Sequence, residues 1–231
     1  MNILTLNTEA FSGGASQIAT SLFHAYGDAG HSSRMLNAID NSKDKRLQSI
    51  DNDSFRNPIF RFSQKLLDAS LHNAVPLLPK LFSLFLTWAE PIRTLRKING
   101  REDFHQPATK RLTDLVTPRP QIIHAHNLFG DYFDLRQLPR LSRQAPLILT
   151  LHDMWAFTGH CSHPLGCERW KQACGHCPRL DLPPALPRDG TAANLSIKKR
   201  IYSHSHLNVA TPSQWLMDQV NQSILKPGIT N

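Results

Sequence analysis

The chain has 231 residues, 40% of them hydrophobic, and carries 26 Lys and Arg against 18 Asp and Glu, a formal charge of +8. That apolar content suffices for an ordinary globular core, and the longest apolar stretch, "LFSLFLTW" at 81–88, falls far short of the ~20 residues that span a bilayer. The opening "MNILTLNTEAFSGG" lacks the basic start and long apolar run of a secretory signal, so the reading is a soluble, cytoplasmic protein in a reducing setting.

In chain order, "NILTL" at 2–6 is a short apolar strand, "NTEAFSGG" a glycine loop, and "ASQIATSLFHAYGDAGH" a helix. Its Ala15, Ile18, Ala19, Leu22, Phe23 and Tyr26 recur at helical spacing, and Gly27 and Gly30 end it. "SSRMLNAI" at 32–39 is the next strand, so residues 1–39 predict a βαβ unit with a parallel sheet. The polar residues 40–56 predict a loop. From 57 to 99, apolar residues at helical spacing, basic residues between them and prolines at 76, 79 and 91 predict broken amphipathic helices. This segment is a helical insertion packed on the domain, or a basic apolar face for an anionic membrane.

"PQIIHAHN" at 120–127 and "APLILTLHD" at 145–153 are apolar runs ending in polar residues, the pattern of buried parallel strands. "LFGDYFDLRQLPRLSR" between them carries the crossover helix. Beyond the proline-rich "RLDLPPALPRDG", "LSIKKRIYSHS" predicts a helix, "LNVATPS" a strand and loop, and "SQWLMDQVNQS" a helix capped by Ser213.

Ligands of an open parallel sheet bind where its strands end. The first strand leads into Ser12, Gly13 and Gly14, where the absence of side chains lets backbone N–H groups approach a phosphate at a helix N-terminus. A Gly-Gly turn of this kind is equally a simple tight turn. The later strands end in His124, His126 and Asn127, and in His152 and Asp153. Such histidines hydrogen-bond sugar hydroxyls or phosphates, or exchange protons near neutral pH; position makes His152 the stronger candidate and leaves His124 the more ordinary core histidine. Thr211-Pro212-Ser213 is a helix cap.

All four cysteines, Cys161, Cys167, Cys174 and Cys177, fall within one loop at 159–180 in the pattern C-x5-C-x6-C-x2-C. Four thiolates so spaced can enclose a structural Zn²⁺ with no open position for substrate. Buried free thiols, disulfides or a redox role are the alternatives. The positive charge suits a phosphate-bearing ligand, a nucleic acid or an anionic membrane. The basic residues are dispersed and accompany no nucleic-acid motif, and a hydrolase built on His152 and Asp153 lacks a G-x-S-x-G elbow.

The stretches "LNTEAFSGGASQIATSLFHAYGDAGHSSRML", "PQIIHAHNLFGDYFDL", "LTLHDMWAFTGHCSHPLGCERWKQACGHCP" and "KKRIYSHSHLNVATPSQWL" together resemble the amino-terminal half of bacterial family 4 glycosyltransferases, in the polysaccharide-biosynthesis branch that includes colanic acid glycosyltransferases. The histidine-to-cysteine block is the specific part of the likeness, and 40–118 carries least of it. The resemblance implies a Rossmann-like parallel sheet with helices on both faces, the amino-terminal, acceptor-side half of a GT-B fold. It implies transfer of a sugar from a nucleotide-sugar donor to a polysaccharide or lipid-linked acceptor, with retention and without a catalytic metal. Gly13 and Gly14 would then face the donor diphosphate, His152 with Asp153 the transferred sugar, and His126 with Asn127 the acceptor. Peripheral contact with the inner face of the cytoplasmic membrane is implied, and nucleic acid is not. The family's second domain, with its basic residue and glutamate pair for the donor, has no counterpart before Asn231. The expectation is therefore a single acceptor-side domain whose donor half lies on another chain or is missing, or else a catalytically silent binding domain.

Overall fold

A computed structural model of the protein describes residues 1–9, 13–39, 44–71 and 77–230. Six strands, β1 (Asn2–Glu9), β2 (Ser32–Ile39), β3 (Leu47–Ser49), β4 (Ile122–Ala125), β5 (Leu147–Thr150) and β6 (Leu207–Ala210), form one sheet in the order β3-β2-β1-β4-β5-β6. Every named pair is parallel, so each connection must cross over a face of the sheet. The order runs outward from β1 in both directions, and the sheet edge at the C-termini of β1 and β4 is where the crossovers diverge.

Successive side chains of a strand point to opposite faces. Met35 and Leu47 pack with Ala19 and Phe23 of α1 (Gly13–Asp28) on one face. Leu36, Leu4, Leu6, Ile123, Leu147 and Leu149 join the main core on the other, beneath Leu138 and Leu141 of α5 (Leu138–Gln144) and Leu195, Ile201 and Tyr202 of α6 (Thr191–Tyr202). Helices thus cover both faces, giving the Rossmann-like α/β arrangement expected. The final helix, α7 (Gln214–Asn221), begins at Ser213, whose Oγ accepts from the Leu216 N–H at 3.3 Å as its position in the sequence predicts.

One local expectation needs correction. Within the supposed loop at 40–56 lies β3, whose Leu47 is buried while Gln48 and Ser49 are exposed. A three-residue edge strand with one inward side chain leaves almost no apolar periodicity to detect. The stretch 128–143 carries the crossover helix as expected: an irregular run leads through a 3₁₀ turn, Leu135–Gln137, into α5.

The helical insertion is present as α2 (Pro58–Leu71), α3 (Leu77–Ala89) and α4 (Pro91–Ile98), with Pro76 outside the described residues. Pro91 stands in the first turn of α4, where its missing N–H costs no hydrogen bond. The buried Arg56 anchors the base of the insertion: its guanidinium donates to Glu90, to the His105 carbonyl and to Gln106 Oε1. No helix among the described residues is long and apolar enough to cross a membrane.

Candidate active site at the strand ends

β4 and β5 are hydrogen-bonded neighbours with Ala125 opposite Leu149, so the residues that follow each strand emerge at one edge. The His126 N–H still bonds the Leu6 carbonyl, at 2.8 Å, which extends the ladder past the end of β4. This places His126 Nδ1 3.0 Å from His152 Nε2, with the rings stacked at an interplanar angle of 15°. One pleat deeper, His124 lies between the Tyr26 hydroxyl of α1 and Thr150 Oγ1, each at 2.8 Å, and its ring sits 4.3 Å from that of His126.

Three imidazoles so close and so sheltered do not hold protons readily. Burial, aided by the neighbouring histidines, depresses His124 to about 4 and His126 to about 3. His152 is also lowered by burial, against an upward pull from Asp153, and of His126 and His152 it alone keeps substantial exposure. At neutral pH the cluster is therefore uncharged and His152 presents a neutral imidazole to the cleft. Burial raises the Asp153 carboxyl, and its Oδ1 accepts from the Trp155 N–H at 2.8 Å, turning the chain into the 3₁₀ segment Trp155–Phe157.

Gly13 and Gly14 open α1 at the same edge, while Ser12 lies outside the described residues. Gly13 has φ +79°, and among the described residues a Cβ on either glycine at the first turn of this 16-residue helix would meet nothing within 4 Å. Asn7 couples the glycine turn to the histidines: its Nδ2 donates to Ser16 Oγ at 3.1 Å and its Oδ1 accepts from the Asn127 N–H at 3.3 Å. The Asn127 carbonyl accepts from Thr8 and Tyr132, while its side-chain amide has no protein partner among the described residues and is available to a ligand. Asn7 and Thr150 went unnoticed in the sequence, where Tyr26 counts only as a member of the helical pattern. Asn7, the asparagine directly after an apolar strand run, is the one with a readable signal.

The four cysteines are free thiols, half-buried, and line one small pocket with His160 and Trp170. Among the described residues no group of three His, Cys, Asp or Glu side chains is arranged to hold a metal ion, so the zinc expected at Cys161, Cys167, Cys174 and Cys177 gains no support. Burial pushes Cys174 up to about 11 and Cys161 upward as well, which keeps both as thiols rather than thiolates. Packing and hydrogen bonds fasten the loop. Trp170 packs edge-on against Phe157 at 5.3 Å, and His160 Nδ1 donates to the Pro184 carbonyl at 3.0 Å. Asp189 accepts from the backbone N–H groups of Cys177 and Thr191.

Lys198, another group the sequence did not advertise, is fully buried under the loop after β5. Its Nζ donates to Glu102 Oε1 at 2.8 Å and to the carbonyls of Trp155 at 2.8 Å and Thr158 at 3.2 Å, and lies 3.8 Å from the centre of the Trp155 ring. This single ammonium ties α6, the strand-end loop and residue 102 together.

No family model matches the sequence, and no solved structure matches it. Over 122 residues the chain is 30% identical to an Escherichia coli (strain K12) protein named as a colanic acid biosynthesis glycosyl transferase, WcaC; the match covers 48% of this chain and 30% of that protein. The chain thus matches less than a third of that relative's length.

Proposed function

We propose that this domain forms the acceptor-side half of a glycosyltransferase that moves a sugar from a nucleotide-sugar donor to a saccharide acceptor, with retention at the anomeric carbon. The observation that carries this reading is the stacked, neutral His126–His152 pair at the C-terminal edge of a parallel sheet, beside the N-terminal turn of α1. The similarity to a protein named as a glycosyl transferase supports it.

In this mechanism the Gly13–Gly14 turn offers backbone N–H groups and the positive end of α1 to the donor diphosphate, whose negative charge grows as the glycosidic bond breaks. His152 is a neutral imidazole and acts as a hydrogen-bonding group that positions the transferred sugar, not as a cation. His126 holds His152 in place from within the sheet edge, Asp153 shapes the turn behind it, and the Asn127 amide orients the acceptor. The departing diphosphate accepts the proton of the acceptor hydroxyl, so the chemistry calls for no metal. Nucleotide-sugar binding is the direct test. Saturation-transfer NMR on the purified chain with a panel of nucleotide-sugars at millimolar concentration is expected to show contact for at least one of them, lost in His152→Ala with the fold retained. Absence of transfer to every donor with the wild-type chain would overturn the reading.

We also infer that the insertion rests on an anionic membrane surface. Phe62 on α2, Trp88 on α3, and Ile92 and Leu95 on α4 are exposed, Trp88 at 79%, and the exposed cations Arg61, Lys65 and Arg96 lie on two of the same helices. Apolar side chains beside basic ones match a surface of acyl chains beneath anionic headgroups.

A further inference from the structure

A cavity of about 700 Å³ lies beside the histidine pocket. It lies between the segment leaving α4, the loop after β4 and the run 184–188 that follows the cysteine loop, and it shares Leu128, Phe129 and Trp155 with the pocket that contains His126 and His152. These shared side chains separate the cavity from the strand ends by a single layer.

Its wall is aromatic, formed by Phe104, Phe129, Phe133 and Trp155. Its charges are mostly spoken for. Lys97 pairs with Asp131 and Asp103, Asp103 also with Arg93, and Glu102 with Lys198. Two lining guanidiniums remain, Arg101 and Arg188, both exposed and neither with an ion-pair or side-chain hydrogen-bond partner among the described residues.

The chain takes unusual steps to bring these two together. Gly100, at φ +67°, packs so tightly on the other segment that a Cβ there would fall 1.8 Å from the Arg188 carbonyl oxygen, and a Cβ on Gly190 would fall 2.3 Å from the Gly100 oxygen. Asn194 of α6 clamps the same place, its Nδ2 donating to the Gly100 carbonyl at 3.0 Å and its Oδ1 accepting from the Glu102 N–H at 3.1 Å. Backbone packed on backbone holds the bases of both arginines in fixed relation on one rim. Guanidiniums favour oxyanions, which they bind through paired N–H groups, and aromatic faces favour the C–H faces of sugar rings.

We propose that this cavity binds the acceptor as an anionic saccharide, the sugar ring against Phe129 and Trp155 and its oxyanion held by Arg101 and Arg188. The inference rests on the glycosyltransferase reading for the word acceptor, and adds its substrate class and two specificity-determining residues. A sugar phosphate, as at the head of a phospholipid-linked glycan, and a uronic acid of an acidic polysaccharide share this chemistry.

The test is an NMR titration of the full chain, following the Trp155 indole resonance, with glucose 1-phosphate, glucuronate, uncharged methyl glucoside and inorganic phosphate. At least one anionic sugar is expected to shift the indole with an affinity tenfold or more above that of methyl glucoside, and Arg101→Gln/Arg188→Gln is expected to remove that advantage. Both side chains are exposed, so the double variant keeps its fold. Preference for glucose 1-phosphate supports a phosphate-linked acceptor and preference for glucuronate an acidic polysaccharide. Equal binding of methyl glucoside, an unchanged double variant, or a response to inorganic phosphate alone would each overturn the proposal. Donor contact at His152 is measured separately, so loss of the transferase reading and loss of the anionic cavity are distinguishable results.

Discussion

His126 Nδ1 lies 3.0 Å from His152 Nε2, while His126 Nε2 is buried without a hydrogen-bond partner among the described residues. One proton must occupy the contact between two neutral rings, and an orphaned buried N–H is rarer and costlier than an unused lone pair. His126 therefore carries its proton on Nδ1 and donates to His152, which keeps its own proton on Nδ1, facing away from His126. Long-range ¹H–¹⁵N correlation spectra are expected to show both residues as Nδ1–H tautomers at pH 7. In His126→Phe, His152 is expected to shift toward the Nε2–H form. An Nε2–H signal for His126 in the wild type would contradict the assignment.

The same burial predicts how stability follows pH. In the unfolded chain histidines take up protons near pH 6.5; in the folded protein His124 does so only at about 4 and His126 at about 3. As pH falls from 6.5 toward 4 the unfolded state binds more protons, so the contribution of these histidines, present in full above 6.5, is progressively lost. Each unit of depression is worth about 1.4 kcal/mol. Glu102, raised by burial to about 7, acts in the opposite sense, because the folded protein takes up its proton first. Comparison of urea unfolding between pH 7 and 4.5 for wild type and His126→Asn isolates the histidine part. The variant is expected to lose less stability over that range, and parallel curves would refute the argument.

Glycines of different purpose give different substitution outcomes. Gly190→Ala places a Cβ within 3 Å of three backbone atoms of residues 99 and 100, none of which can rotate away. Overpacking of this kind costs about 1–3 kcal/mol or more, so a melting temperature lower by several degrees is expected. Gly14→Ala meets nothing within 4 Å and is expected to melt close to wild type while weakening nucleotide-sugar contact, because the added methyl occupies the approach to the helix N-terminus.

Trp88 reports on the membrane surface proposed for the insertion. With 79% of its surface exposed, its fluorescence is expected to shift to the blue with vesicles containing phosphatidylglycerol and not with phosphatidylcholine alone. Trp88→Ser with Leu95→Ser is expected to weaken sedimentation with the anionic vesicles about tenfold, since each side chain contributes buried apolar area on insertion. Equal binding to neutral vesicles would remove the electrostatic part of the proposal.

The parallel α/β order was legible in the sequence because apolar runs ending in polar residues alternate with helical periodicity: "PQIIHAHN" and "APLILTLHD" mark β4 and β5 by composition alone, and Ser213 marks the start of α7. The candidate residues His126, Asn127 and His152 were legible for the same reason, since polar groups at strand ends lie where a parallel sheet binds ligands. Other features depend on partners distant in the chain. β3 exists because Leu47 meets Met35 and Phe23, not because its own three residues demand it. Lys198 is a buried tie only because of what the fold sets beside it. The cysteine spacing suggested a ligand set, and the fold does bring all four to one pocket, but whether thiols can enclose an ion depends on side-chain directions that spacing does not fix. Arg101 and Arg188 are ordinary surface charges in the sequence; they share a rim because Gly100 and Gly190 let two remote backbones touch. Local periodicity is written in neighbouring residues, whereas pairing, neutralisation and cavity shape arise from contacts across 40 to 120 positions, as in Lys198 with Thr158 and Asn7 with Asn127, and those are decided only when the chain folds.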